Sequence, residues 1–157
     1  MIANELRIGN LLVLSDTGES FTVTGMMLDS HGPKIYGQTY SGEYCSPRDN
    51  QCKPVILTED WLLRAGFRRS GRYYKNHNWG YRYSIGYSKK TDRWDVSIMD
   101  AGIFSSIKYV HQLQNLYFSL TGHELTFANN HNPCTSPDPD DCCENCNCWK
   151  STRSNCS

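Results

Sequence analysis

The chain has 157 residues, 38% of them hydrophobic and 20% charged, with a formal net charge of zero. That composition suits a folded unit with its own core, and no run nears the roughly 18 apolar residues that a membrane-spanning helix requires. Neutrality excludes a uniformly basic or acidic protein, yet the charge is segregated. Residues 64–94 carry nine Lys/Arg against one Asp, whereas residues 1–60 carry four Lys/Arg against eight Asp/Glu.

The opening MIANELRIGN has neither the basic n-region nor the apolar h-region of a signal peptide, so a cytoplasmic location is expected. Leu6 to Leu14, the turn Asp16-Thr17-Gly18 and Ser20 to Leu28 predict a β-hairpin. Its first arm contains LLVL, a continuous apolar run expected to be buried on both faces. A third short strand is predicted through Lys34-Ile35-Tyr36. Residues 37–53 read as loop, because Gly37, Gly42, Pro47, Asp49 and Asn50 are too dense for a regular element. Cys45 and Cys52 within it read as two free thiols.

A first helix is predicted at about 58–65. Thr58 is a suitable N-cap, and Glu59 and Asp60 favour the positive end of the helix dipole. Gly66 is placed to end it in a left-handed conformation, with Phe67 folding back on Leu62 in a Schellman motif. Three strands follow: Phe67 to Lys75, Trp79 to Tyr87 and Arg93 to Met99. Alternation in the second sends Trp79, Tyr81, Tyr83, Ile85 and Tyr87 to one face and Arg82, Ser84 and Gly86 to the other. In the third, Trp94, Val96 and Ile98 share a face.

The clearest helical period lies in IKYVHQLQNLYFSL, Ile107 to Leu120, within a second helix predicted at about 106–121. Val110, Leu113, Leu116, Tyr117 and Leu120 form one stripe, and Lys108, His111, Gln112, Asn115 and Ser119 fall mostly opposite it. Ser105 or Ser106 is the expected cap and Gly122 the expected stop. This helix is the natural cover for the apolar face of the three strands. Glu124 to Phe127 is the expected last strand. From Ala128 onward Asn, Pro, Asp, Ser and Cys dominate, and Trp149 is the one large apolar residue.

Together these features predict an α+β protein. A small antiparallel sheet or partial barrel, made of the N-terminal hairpin and the three-strand meander, is covered by two helices. Residues 1–127 form the domain, and residues 128–157 form a flexible Cys-rich tail that cannot bury enough surface to order itself unless cross-linked or metal-bound.

Three segments carry a resemblance: ANELRIGN at 3–10, KPVILTEDWLLRAGF at 53–67 and IKYVHQLQNLYFSLTGHEL at 107–125. Together they resemble a family of short uncharacterised proteins of bacteriophages and prophages that carry the same three blocks in the same order. The match covers a quarter to a third of the chain. The family has no established activity, so no catalytic residue comes with the resemblance. It implies a phage-encoded accessory protein acting in the bacterial host cytosol. The tail departs from the pattern.

Three constellations could carry chemistry. The first is the basic-aromatic block, in which Arg68, Arg69, Arg72, Arg82, Lys89 and Lys90 interleave with Tyr73, Tyr74 and Tyr87. Phosphates attract such cations, and exposed rings stack on bases for about 1–3 kcal/mol each. The bland alternative is core aromatics under the helices with arginines on a solvated face. The exposure of Tyr73, Tyr74 and Tyr87 beside Arg72, Arg82 and Lys89 discriminates the two. The second is His111 with Asn115, one helical turn apart and able to share a ligand; the bland alternative is a surface histidine bonded to a nearby carbonyl. The third is the tail, where Cys134, Cys143, Cys146 and Cys148 supply thiolates for a Zn²⁺ site. The seven residues between Cys134 and Cys142 suit a second half-site poorly, so the expectation is no cofactor, with zinc as the alternative.

No nucleotide-binding, metalloprotease or nucleophile-elbow motif is present, and no carboxylate or nucleophile completes a catalytic set around His111. The expected function is a non-enzymatic binding protein that takes nucleic acid or a nucleotide on a basic sheet surface. It would sequester a host nucleotide or antagonise a host defence protein. The alternative is a protein–protein interaction or virion-associated part without a phosphate ligand. A host protein and a second copy of the chain are the further expected partners, and a membrane is not.

Overall fold

Strand pairing rather than helix content organises the chain. In the computed structural model, which describes residues 5–80, 82–99 and 102–128, ten strands form two antiparallel sheets and two helices join them. The first sheet comprises β1 (Leu11–Leu14), β2 (Ser20–Asp29), β3 (Gly32–Thr39), β4 (Tyr44–Cys45) and β5 (Cys52–Pro54), in the order β4-β3-β2-β1-β5. Helix α1 (Glu59–Arg64) follows. The second sheet comprises β6 (Arg68–Ser70), β7 (Tyr73–Lys75), β8 (Tyr83–Ser88), β9 (Arg93–Ile98) and β10 (Gly102–Ile107), in simple chain order, and helix α2 (Val110–Thr121) comes last. The expected α+β class and the two helices are present. The hairpin and the meander belong to separate sheets, and neither sheet closes into a barrel.

Local chemistry explains the helix ends. Gly66 takes φ +77°. Its N–H donates to Leu63 C=O at 3.0 Å and Phe67 N–H donates to Leu62 C=O at 2.9 Å, which is the expected Schellman closure. Gly122 ends α2 at φ +73°. Thr58 occupies the N-cap of α1, but its hydroxyl makes no capping bond. The start of α2 differs from expectation. Ser105 and Ser106 belong to β10, and the helix opens at Val110, where Gln112 Oε1 accepts from Lys108 N–H at 2.9 Å and Tyr109 N–H at 3.2 Å. A glutamine at the third helical position thus fastens the start of the helix by reaching back to the N–H groups that precede it.

Other boundaries move for similar reasons. Residues 37–53, expected as loop, hold the end of β3, the two-residue β4, a 3₁₀ turn at Asp49–Gln51 and the start of β5. Such short strands carry no readable alternation, and their neighbours supply the register. Phe67 to Lys75 is a hairpin instead of one strand, broken where Gly71 takes φ +64°. His77–Trp79 is a 3₁₀ turn, so β8 begins only at Tyr83. Glu124 to Phe127 is not a strand; Glu124 serves Arg7, as described below.

There are two cores. Leu6, Leu12, Phe21, Val23, Ile35 and Cys52 fill the first sheet. The larger core packs Leu62 and Phe67 with Ile85, Trp94 and Val96 from the second sheet and Val110, Leu113 and Tyr117 from α2. This is the expected helix-on-meander layer. β1 serves both cores, since Leu11 joins the larger and Leu12 the smaller. The apolar run LLVL is therefore buried on both faces at its start.

The polar side of α2 ties the sheets together. Arg7 forms a two-pronged ion pair with Glu124 at 2.6 and 2.7 Å, while its Nε donates to Asn115 Oδ1 at 2.8 Å. Asn115 also accepts from Asn10 Nδ2 at 2.9 Å and donates to Glu5 C=O at 2.7 Å. Gln114, buried, accepts from Leu11 N–H and donates to Gly9 C=O, each at 2.9 Å. Leu57 N–H donates to Lys108 C=O, and Val110 N–H to Val55 C=O, both at 2.9 Å. Residues 5–10, 53–67 and 107–125 thus meet along one helix.

Candidate functional site

A cleft of about 570 Å³ opens where the β6–β7 hairpin, the start of α1 and the β10–α2 junction converge. Its size lies within the range of roughly 300–1,000 Å³ typical of small-molecule sites. Trp94 forms part of the wall, its indole N–H held by Leu57 C=O at 2.8 Å. Tyr74 meets the Trp94 ring edge-on at 5.7 Å between centroids, and Tyr87 tilts against it at 5.3 Å. Tyr74 and Trp94 are buried, whereas Tyr87 is 49% exposed.

Strand register places the cations. Arg69 pairs with Tyr74, Tyr74 with Ile85, and Ile85 with Val96, so all four lie in one row across the core side of the sheet. Tyr74, Ile85 and Val96 are buried in that row, and Arg69 ends it at the open edge, on the lip of the cleft. Arg72, in the tight turn after β6, lines the same lip. Lys108 reaches it from the far end of β10.

Two carboxylates share the cleft. Asp92 accepts from the Tyr87 hydroxyl at 2.5 Å and lies 3.7 Å from Lys108 Nζ. The Tyr87 hydroxyl and then Lys108 hold the Asp92 carboxyl below its usual range, and the same bond pushes the Tyr87 phenol up. Asp92 takes φ +52° at the β8–β9 turn, a conformation that Asp and Asn tolerate better than most residues. Glu59 is the second carboxylate. Burial and then a hydrogen bond to Glu59 raise the Tyr74 phenol. Lys108 is therefore partly neutralised. Arg69 and Arg72 are not: neither has a carboxylate within ion-pair distance among the described residues. Arg69 Nε donates to Gly71 C=O at 3.1 Å, and Arg72 lies 5.1 Å from the centre of the Tyr73 ring.

Of the residues singled out in the sequence, Arg69, Arg72, Tyr74 and Tyr87 line this cleft. Alternation sends Arg68 and Tyr73 to the opposite side of the sheet, where Arg68 pairs with Lys75 and Tyr73 packs across Gly86. Lys89 and Lys90 sit on the turn that carries Asp92. Arg82 precedes β8, and its carbonyl accepts from Met99 N–H at 2.8 Å. The discriminating exposures divide: Tyr87 and Tyr73 are exposed near Arg72, while Tyr74 is core.

His111 and Asn115 lie away from the cleft, and the expected surface histidine is a correction. His111 is 1% exposed, and both ring nitrogens lack a hydrogen-bond partner among the described residues. Its ring stacks on Tyr109, and Nε2 lies 3.6 Å from a Glu5 carboxylate oxygen. Burial pulls its pKa down, against the opposing pull of Glu5. Asn115 is occupied by Arg7, Asn10 and Glu5, which leaves it unavailable for the shared ligand suggested by the spacing. Cys45 and Cys52 are free thiols, and burial pushes Cys52 up to about 11. Cys134, Cys143, Cys146 and Cys148 lie outside the described residues, among which no His/Cys/Asp/Glu group could hold a metal. No helix among the described residues is long and apolar enough to cross a membrane.

Sequence reasoning placed Trp94 in the basic-aromatic block but missed Glu59, Asp92 and Lys108 as cleft residues. Asp92 carried the one usable signal, being the lone acid in the basic block. Lys108 carried none, because it reaches the cleft only through strand pairing.

Fold and site together define an α+β protein of two antiparallel sheets stitched by a helix, with an aromatic cleft whose lip holds two guanidinium groups that have no carboxylate partner among the described residues. No family model, curated protein or solved structure matches the chain.

Proposed function

We propose that the protein binds a small phosphate-bearing ligand of nucleotide size in this cleft and does no chemistry on it. The observation that carries the reading is the convergence of Arg69 and Arg72, both without acidic partners among the described residues, on a cleft walled by Tyr74, Tyr87 and Trp94. Guanidinium groups match phosphate oxygens in geometry and charge. The half-exposed Tyr87 ring offers a face for a base. Burial of Tyr74 and Trp94 argues against an extended stacking platform for a nucleic-acid strand, which needs successive open rings. Glu59 and Asp92 can accept from hydroxyl or amino groups of the same ligand. The Tyr87 phenol, bonded to Asp92, and the Tyr74 phenol, buried and bonded to Glu59, are both pushed up in pKa, the opposite of what activates a nucleophile.

The biological setting follows from the resemblance of the three blocks: a phage-encoded accessory protein in the host cytosol that sequesters a nucleotide or antagonises a defence protein. The test is calorimetric titration and thermal shift with linear and cyclic nucleotides, alongside mass spectrometry of small molecules that co-purify from the native host. A binder should raise the melting temperature of the full-length protein by mass action and should bind less well to Arg72→Gln. A panel that leaves the melting temperature unmoved sinks the reading.

A further inference from the structure

Sheet edges expose backbone donors and acceptors, and proteins commonly guard them with charge, proline, brevity or a bulge. Four exposed edges here carry such guards. β4 is two residues long, β5 contains Lys53 and Pro54, β6 presents Arg68 and Arg69, and β10 is bulged between Ile103 and Ser105. Met26–Leu28 in the distal half of β2 has none: the β2 bulge lies before Gly25, and the one charge, Asp29, is paired with Arg48 in its own chain. β1 accompanies β2 only along Ser20–Thr22, and the Gly9–Asn10 backbone reaches only Val23. From Gly25 to Asp29, β2 pairs with β3 alone among the described residues. This stretch projects Met26, Met27 and Leu28, which are 42%, 48% and 78% exposed.

We propose that this edge joins a second copy of the chain as an antiparallel β2–β2 pair around a two-fold axis at Met27. Hydrogen-bond parity sets the register. Leu28 pairs with Pro33, which has no N–H, and Met26 pairs with Ile35, whose N–H turns away from β2 to Pro47 C=O at 2.9 Å. Both are therefore the non-hydrogen-bonded kind of antiparallel pair, so the N–H and C=O of Met26 and Leu28 point outward from β3. Centring the axis on Met27 sets Met26 opposite Leu28 of the other copy. Each such pair exchanges two bonds, and symmetry doubles them to four.

Side chains and charges agree with that register. Met26 meets Leu28 on one face, and Met27 meets its own counterpart on the other. Asp29 falls opposite Gly25, so no carboxylate opposes a carboxylate. Its charge is already balanced within its own chain by Arg48 at 3.0 and 3.1 Å. An isologous contact of this kind closes on itself and leaves no further sticky edge. A strand from an unrelated protein could meet the backbone requirement, but it would have no reason to match the apolar triplet in register.

The test is the mass of the full-length protein at micromolar concentration by sedimentation or light scattering, for wild type and Met27→Lys. Wild type should show about 36 kDa, twice the 18.0 kDa chain. Met27→Lys sets like charges face to face at the axis and should give a monomer with an unchanged melting transition when assayed under dissociating dilution. Residues directly opposite in such a pair have Cβ atoms about 4.5–5.5 Å apart. Met27→Cys should therefore yield, under mild oxidation, a peptide cross-linked through position 27 to itself. A monomeric wild type, an open-ended aggregate, a dimer indifferent to Met27→Lys or an absent position-27 cross-link each overturns the proposal.

Discussion

Replacing Gln114 by alanine removes a buried side chain that accepts from Leu11 N–H and donates to Gly9 C=O, both at 2.9 Å. Each backbone group left without a partner costs about 1–3 kcal/mol when buried. The Leu11 N–H is buried, and the Gly9 carbonyl is only partly so, which places the sum near 2–4 kcal/mol. A domain of this size loses roughly 4 °C of melting temperature per kcal/mol, so the expected fall is roughly 8–15 °C. Urea and thermal unfolding of Gln114→Ala against wild type measure it. Hydrogen exchange should show faster exchange at Leu11 than the global loss explains. Gln114→Leu separates hydrogen bonding from volume, because it refills the space without restoring either bond. A Gln114→Leu protein as stable as wild type, or a Gln114→Ala loss below about 0.5 kcal/mol, the ordinary surface range, would refute the view that polar contacts from α2 hold the first sheet in place.

His111 has a folded pKa below its ordinary 6.5 because it is buried, so the unfolded chain binds more protons as pH falls through 6.5. Stability should be fully present above that value and decline below it, a trend that denaturant midpoints across pH should show and His111→Gln should flatten. Gly37→Ala would drive a Cβ into the Phe21 ring and to 2.9 Å from Thr22 C=O, so the first sheet should lose at least the roughly 1–3 kcal/mol of an overpacked core, read by thermal unfolding. For a nucleotide that binds wild type, Arg69→Gln and Arg72→Gln should each weaken affinity about tenfold to a hundredfold, the worth of a charge-assisted bond. The wild-type affinity should itself decline as salt is added, and calorimetric titration reads both.

Local chemistry was legible along the chain. The Schellman stop after α1 could be read from Gly66 and Phe67, because the bonds that form it span five residues. The buried stripe of α2 and the apolar side of β9 could be read from their periods. The tight turn at Gly71 was hidden inside a run of strand formers, and the strand character of Ser105 and Ser106 was masked by their value as caps. β4 and β5 offered two and three residues, too few for any period to show.

The cleft was half legible for the same reason. Arg69, Arg72, Tyr74 and Tyr87 belong to one contiguous block whose composition announces them. Trp94 was visible as a core ring but not as a wall of the cleft, and Lys108 was visible only as the polar edge of a helix. Alternation alone could not tell which arginine faced the cleft, since moving the hairpin turn by one residue exchanges Arg68 for Arg69. Burial of His111 and Gln114 on the polar side of α2 was likewise invisible, because nothing in a helical period reports that a second sheet will be docked there.

Composition, period and capping chemistry determined the elements and the sign of the charge in mid-chain, since those depend on neighbours within a few residues. Tertiary structure decided the division into two sheets, the burial of the polar helix face and the meeting of Arg69, Arg72 and Lys108 at one cleft. Each of these depends on backbone pairing between residues far apart in the chain, and pairing register leaves little trace in the order of the amino acids.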